Sequence, residues 1–357
     1  MNLIILLPKL DFSGPVKGGL AIAKLLSKDH KVIIISLKGK LIVKENQYED
    51  IKFISLDNYK NFIQKILKLR QLIKKQNNNK RKNSILISIC FSSDLISIFA
   101  YDLLPRISSI RGNLFKNYFY TYNLPGYFLA NLHLNFMRFQ NRVIVMNNNM
   151  KKQVSFYTRK KITIIPNFIN EEELSKYFIP NIDKSKPIKY VFVGSLNKRK
   201  NPLLVLNVFS RILKKINSTL HFVGDGPLYK KLHYLVKNDN LQKKVFMHGF
   251  QENPYAFMNN SDLLIIPSFS EGTSRAAMEA LFLGVPIVMR NVDSNNELIK
   301  PEYNNGKLFN NDDELESIMI SEGLKSINRG KRFNLLPEKY RQINIKNQYL
   351  NLLKEVT

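Results

Sequence analysis

Two carboxylates eight positions apart, Glu271 and Glu279, frame the small residues Gly272, Thr273 and Ser274 in the stretch "EGTSRAAMEALFLGVPIV". The apolar run just before it, "DLLIIPS", reads as a buried strand. "FSEG" reads as the turn at that strand's C-terminal end. "TSRAAMEALFLG" reads as the helix that follows, with Gly284 as the residue that ends it. In open α/β sheets, ligands bind outside the C-terminal ends of strands. A helix N-terminus there offers free N–H groups and the positive end of a dipole, which suit phosphate. Along a helix, eight residues rise about 12 Å and turn about 800°, which brings the second acid to within roughly 80° of the first. Carboxylates accept well from vicinal hydroxyls. The spacing therefore suits an elongated ligand, anionic in the middle with a hydroxyl-bearing group at each end, and a nucleotide-sugar has that shape.

The elements that must position these residues alternate in type. "NLIILLP", "HKVIIISL", "IKFISL" and "NSILISIC" read as strands, separated by helical patterns such as "GGLAIAKLLSKD" and the basic "YKNFIQKILKLRQLIKKQ". The pattern restarts at "IKYVFVGSL" and runs through "NPLLVLNVFSRILKKI", "STLHFVGDGP", "LYKKLHYLVKNDN" and "KVFMHGF". This predicts an α/β protein of two doubly wound parallel sheets. The expected domains are 1–170, joined by a returning helix at about 340–357, and 171–339. The joint falls in "ITIIPNFINEEELSKYFIPNIDKSKP", and "KKQNNNKRKN" reads as a solvated loop.

With these stretches in view, the chain resembles retaining GT-B glycosyltransferases of the family 4 type, the group that builds bacterial surface polysaccharides. The Glu271–Glu279 segment is similar to that family's E-x7-E signature. "VFVGSLNKRKNPLLVLNVF", "LHFVGDGPLYKKL", "NVDSNNELI", "IIPNFIN" and "KGGLAIAKLL" resemble its other segments. The resemblance implies a GT-B fold, two facing Rossmann-like domains with the active site in the cleft, an acceptor-binding first domain and a donor-binding second. It also implies roles. Glu279 would accept from the ribose and Glu271 from the donor sugar. Gly272, Thr273 and Ser274 would hold the sugar–phosphate. Lys200 would neutralise the diphosphate. Gly18 and Gly19 would close over the phosphates, and Phe250 would sit near the base. Three places depart from the family pattern, one being Ser294 and Asn295, which stand where glycines are common before the last family Glu and would bear on the choice of donor sugar. Ser195 stands where an Arg is frequent, with Arg199 or Lys198 able to compensate. Arg111-Gly112-Asn113 stands where many members carry a His, so Arg111 joins Glu271 and Lys200 as a catalytic candidate.

Composition narrows the classes. A chain of 357 residues with 44% apolar content is globular and suits two domains. The single cysteine, Cys90, excludes an intrachain disulfide framework and a cysteine-based zinc site; it reads as buried and inert. The five histidines lack metal-ligand spacing, and no Asp-x-Asp motif ends a strand, so metal-independent chemistry is expected. "MNLIILLPKLDF" lacks a basic leader region and reads as a strand, and no segment meets the transmembrane criterion. Residues 1–170 carry 28 Lys+Arg against 8 Asp+Glu; residues 171–357 carry 27 against 20. The net charges are +20 and +7, and the asymmetry points to an anionic surface as a partner of the first half. Aromatic–basic interleaving of the kind that reads nucleic acid is absent, so no nucleic-acid partner is expected.

The expected function is transfer of a sugar from a nucleotide-sugar, with UDP the expected nucleotide, to a lipid-linked glycan in O-antigen, capsule or exopolysaccharide assembly. Configuration would be retained and no cofactor would be used, the nucleotide-sugar being a co-substrate. The expected location is the cytoplasm, peripheral on the inner membrane face, with the basic helix "YKNFIQKILKLRQLIKK" as the anchor. Two other readings use the same scaffold: a nucleotide-sugar 2-epimerase, and a non-catalytic basic membrane- or partner-binding protein.

Overall fold

A computed structural model describes residues 1–11, 13–39, 48–77, 84–180, 187–328 and 331–356. The chain divides into two compact units, Met1–Asn167 with Ile343–Thr357, and Phe168–Gln342.

The first unit runs β1 (Asn2–Leu7), α1 (Gly14–Ser27), β2 (Lys31–Ser36), β3 (Ile51–Ser55), α2 (Phe62–Asn77), β4 (Ser84–Ile89), α3 (Phe91–Ile98), β5 (Arg106–Ser109), α4 (Leu114–Tyr122), α5 (Pro125–Phe136), β6 (Arg142–Val145), α6 (Asn148–Ser155) and β7 (Ile162–Ile164). The second runs α7 (Glu171–Ser175), β8 (Ile188–Val193), α8 (Pro202–Ile212), β9 (Ser218–Val223), α9 (Tyr229–Asn238), β10 (Val245–Met247), α10 (Tyr255–Asn259), β11 (Leu263–Ile266), α11 (Arg275–Phe282), β12 (Ile287–Arg290), β13 (Gly306–Phe309) and α12 (Asp312–Asn328). A last helix, α13 (Gln342–Val356), joins the first unit from Ile343 onward. It is tied there by Lys346 to Asp29 at 2.7 Å and by Lys161 to Glu355 at 2.5 Å.

Both sheets are parallel. Their orders are β3-β2-β1-β4-β5-β6-β7 and β10-β9-β8-β11-β12-β13. The order reverses between β1 and β4 in the first and between β8 and β11 in the second, the switch points where doubly wound sheets bind ligands. Strands covered on both faces need apolar residues at successive positions, which explains continuous runs such as "NLIILL". In the second sheet the pleat sorts them. Val191, Leu264, Ile266, Ile287 and Met289 enter one core cluster, while Tyr190, Phe192, Leu263, Ile265 and Val288 enter the other.

Several local expectations change. α1 begins at Gly14, so Gly18 and Gly19 lie inside a helix and not in a loop ahead of it. The expected loop at 74–83 is helical through Asn77, where α2 ends, and its remainder lies outside the described residues. The pair α4 and α5 has no counterpart in the sequence reading. In α2, the Lys65 ammonium is buried against the Leu37 carbonyl at 2.5 Å, and Arg70 forks onto Asp102 at 2.5 and 2.7 Å. Those two cations are therefore engaged within the unit. Among the described residues, no helix is long and apolar enough to cross a membrane.

Candidate functional site

The switch point of the second sheet gathers the predicted residues. Lys200 follows β8 and Glu271 follows β11, adjacent parallel strands, so their loops meet at the same sheet edge. The Lys200 Nζ lies 2.5 Å from Glu271 Oε1, and both side chains are largely buried. Arg199 donates to the Ser270 carbonyl at 2.5 Å, and its own carbonyl accepts from Phe269 N at 2.9 Å. Asp293, beyond β12, accepts from Glu271 N at 2.9 Å. Three loops are thus laced around one carboxylate. The ends of β8, β9 and β10 are tied as closely: Gly224 N donates to Gly249 O at 2.8 Å, and a Cβ on Gly224 would stand 2.0 Å from Gly194 O. Only glycine permits that approach.

Electrostatics follow from burial and pairing. Burial opposes the charge on Glu271, but the Lys200 ammonium and Arg199 guanidinium outweigh it and hold the carboxyl below its usual range. Burial lowers the Lys200 ammonium, countered by Glu271. Lys200 was expected to meet a diphosphate directly. In the structure its cation is matched by Glu271, because a buried charge requires a partner.

The two-acid geometry needs correction. α11 starts at Arg275, with the Ser274 hydroxyl capping it through Ala277 N. Glu271 therefore lies in the turn ahead of the helix and only Glu279 is helical, so the rise and rotation of one continuous helix do not relate them. Gly272 and Thr273 complete the turn, and Gly284, with φ +74°, ends the helix as expected. Glu279 is buried and close enough to Tyr255 of α10 that, after burial itself, its charge is the next cause raising the Tyr255 phenol. Arg275 was missed in the sequence. Its Nε and Nη1 are buried without a hydrogen-bond partner among the described residues.

Phe250, after β10, is 52% exposed at the same sheet edge. Just before it, His248 stacks on His221 with rings parallel to within 3° and Nε2 3.0 Å from His221 Nδ1. Burial, then His248, pushes His221 down to about 4.

The first unit's candidates behave differently from one another. A Cβ on Gly19 would meet Leu7 Cδ2 at 2.6 Å and Ile89 Cδ1 at 2.9 Å, so this glycine lets α1 settle onto β1 and β4. A Cβ on Gly18 would meet the Arg111 guanidinium at 2.9 Å. Arg111 donates to Asn167 Oδ1 and borders the buried Tyr349 of α13. Cys90 adopts φ +73° just past β4 and is partly exposed where full burial was expected; desolvation, then Asp94, pushes its thiol up to about 12, which disfavours the thiolate. Sequence reasoning missed the adjoining network. Asp94 accepts from Ser88 at 2.5 Å and pairs with His133 Nε2 at 2.7 Å, and His133 Nδ1 meets the Tyr118 hydroxyl at 2.9 Å. Among the described residues, no three His, Cys, Asp or Glu side chains are grouped to hold a metal ion.

Residues 175–333 match the family described as glycosyl transferases group 1. This second unit belongs to that family. The UDP-Gal:alpha-D-GlcNAc-diphosphoundecaprenol alpha-1,3-galactosyltransferase of Escherichia coli is 31% identical over 180 residues, 45% of this chain and 46% of that protein. Protein CapJ of Staphylococcus aureus is 26% identical over 320 residues, 86% of this chain and 76% of CapJ. The chain thus spans less than half of that galactosyltransferase. The structure of Anabaena Alr3699/HepE in complex with UDP-glucose superposes with a TM-score of 0.76 at 16% identity, covering 99% of each chain. The expected fold class, GT-B, is the one observed.

Proposed function

We propose that the chain is a retaining, metal-independent glycosyltransferase that moves a hexosyl or N-acetylhexosaminyl group from a UDP-sugar to a lipid-linked saccharide in bacterial O-antigen, capsule or exopolysaccharide assembly. The observation that carries this reading is the Lys200–Glu271 pair at the β8/β11 switch point, ahead of the capped N-terminus of α11. A departing UDP needs charge stabilisation more than a proton donor. Lys200, Arg275 and the N–H groups of the turn and helix supply positive potential without a cofactor or metal. Glu279 is assigned to the ribose, Glu271 to the donor sugar, Gly272, Thr273 and Ser274 to the sugar–phosphate, and Phe250 to the base. Arg199 is assigned to holding the loop that carries Glu271. Within the first unit, Arg111 beside Gly18 is assigned to an anionic or hydroxyl-bearing group. The acceptor oxygen bonds to C1 on the face the phosphate leaves, the C1–phosphate oxygen bond breaks, and the acceptor proton passes to that phosphate oxygen. The complex of the structurally similar HepE with UDP-glucose, and the diphosphoundecaprenol-linked sugar in the name of the Escherichia coli relative, support the choice of donor and acceptor classes.

Incubation with a panel of UDP-sugars and a polyprenyl-diphosphate-linked sugar tests this. The expected result is an α-configured product from an α-configured donor. Donor conversion without acceptor would favour the epimerase, and inverted product would contradict the retaining step.

A further inference from the structure

Residues 103–170 contain 10 Lys and Arg and no Asp or Glu. This acid-free stretch builds α4, α5 and α6. At the corner between α4 and α5, "YNLPGYF", the side chains of Tyr122, Leu124, Tyr127 and Phe128 are exposed, Leu124 by 75% and Phe128 by 71%. Phe156, at the end of α6, is 87% exposed. Side-chain contacts tie the two segments together. Tyr157, next to Phe156, donates to Asn131 of α5 at 2.5 Å and lies 6.5 Å from the Phe115 ring of α4. Phe115 and Phe119 pack in turn on Tyr127. The corner is closely built, since a Cβ on Gly126 would stand 2.3 Å from Tyr118 O. Exposed Lys151, Lys152, Arg159 and Lys160 flank Phe156.

An apolar cluster of this kind is unusual on a free surface. Tyr, Phe and Leu suit the headgroup layer of a bilayer, and adjoining cations suit lipid phosphates. No carboxylate from this stretch repels an anionic layer. We propose that the α4–α5 corner, with the adjoining end of α6, docks on an anionic lipid bilayer. The proposal rests on the lipid-linked acceptor reading and names the part of the chain that reaches the lipid. It differs from α2, two of whose cations are engaged within the unit while Ile63 and Leu67 stand exposed, and the test separates the two surfaces.

The test is co-sedimentation with phosphatidylcholine vesicles containing about a third phosphatidylglycerol, with UDP calorimetry on each protein. The wild type should bind vesicles, and less so as salt rises. Leu124→Glu with Phe128→Glu should lower the bound fraction about tenfold or more. Lys151→Ala with Lys152→Ala should weaken binding and flatten its salt dependence. Ile63→Glu with Leu67→Glu, on α2, should leave it unchanged. Thermal melts and far-ultraviolet dichroism unchanged from the wild type show that the first unit, which carries all of these positions, stays folded in the variants. Failure of the wild type to bind vesicles, full binding by the Leu124/Phe128 variant, or release by the α2 variant would overturn the proposal. Loss of UDP binding in the wild type would instead strike the donor reading and leave the vesicle result to stand separately.

Discussion

Lys200 Nζ and Glu271 Oε1 lie 2.5 Å apart although their residues are 71 positions apart in the chain. The contact exists because β8 and β11 are sheet neighbours. Removing one partner from a buried ion pair leaves an uncompensated charge, at a cost of about 3–5 kcal/mol. Lys200→Met and Glu271→Gln should each destabilise the protein on that scale. The double variant should recover more than about 1 kcal/mol relative to their sum. Urea unfolding of the four proteins measures this; additive losses would show that the two groups are uncoupled.

Adjacent glycines should respond differently to a methyl group. Gly19→Ala places a carbon against Leu7 and Ile89, and overpacking of this kind costs about 1–3 kcal/mol. Gly18→Ala meets the end of a flexible guanidinium, which can move. It should keep stability within about 1 kcal/mol, since Ala also favours a helix. Its effect should fall on transfer activity through a displaced Arg111. Thermal melts and initial rates on the two variants separate packing from function. Equal losses of stability would contradict the assignment.

The His221–His248 stack gives the fold an acid-sensitive window. The ordinary histidine value is 6.5, and His221 is held down to about 4. Between those values the unfolded chain binds a proton that the folded chain does not, so stability falls as pH drops from about 6.5 to about 4. His248, also lowered by burial, adds to the same slope. His221→Asn should flatten the dependence of unfolding free energy on pH in that window. An unchanged slope would show that other groups carry it.

Much of this arrangement could be read from the chain, and the unread parts have physical reasons. Strands such as β1 and β8 were legible because cover on both faces demands unbroken apolar runs. The end of α11 was legible because Gly284 takes a left-handed conformation. Its start was placed at Thr273, two residues early, although Ser274 before Arg-Ala-Ala was an available capping signal. The sequence reading sets Glu271 in the turn, where it stands, but relates the two acids by the rise and rotation of one continuous helix. α5 escaped notice because exposed Tyr127 and Phe128 share it with buried Ala130 and Leu134, which blurs its apolar stripe; α4 keeps a helical period that the sequence reading did not use. Asp94, His133 and Tyr118 meet through three separate helices, and no local pattern marks such a network. Asn113, Asn147 and Asn170, by contrast, each cap a helix in the way an Asn before a helical run suggests.

The central claim is that the second unit binds a uridine nucleotide through α11. Calorimetric titration of UDP, with GDP and ADP as controls, into the wild type and Glu279→Ala tests it most directly. A lost hydrogen bond to a charged group is worth about 1.5–3 kcal/mol, so the account predicts UDP binding by the wild type and affinity lowered about tenfold to a hundredfold in the variant. No nucleotide binding by the wild type, or equal UDP affinity in the two proteins, would contradict it.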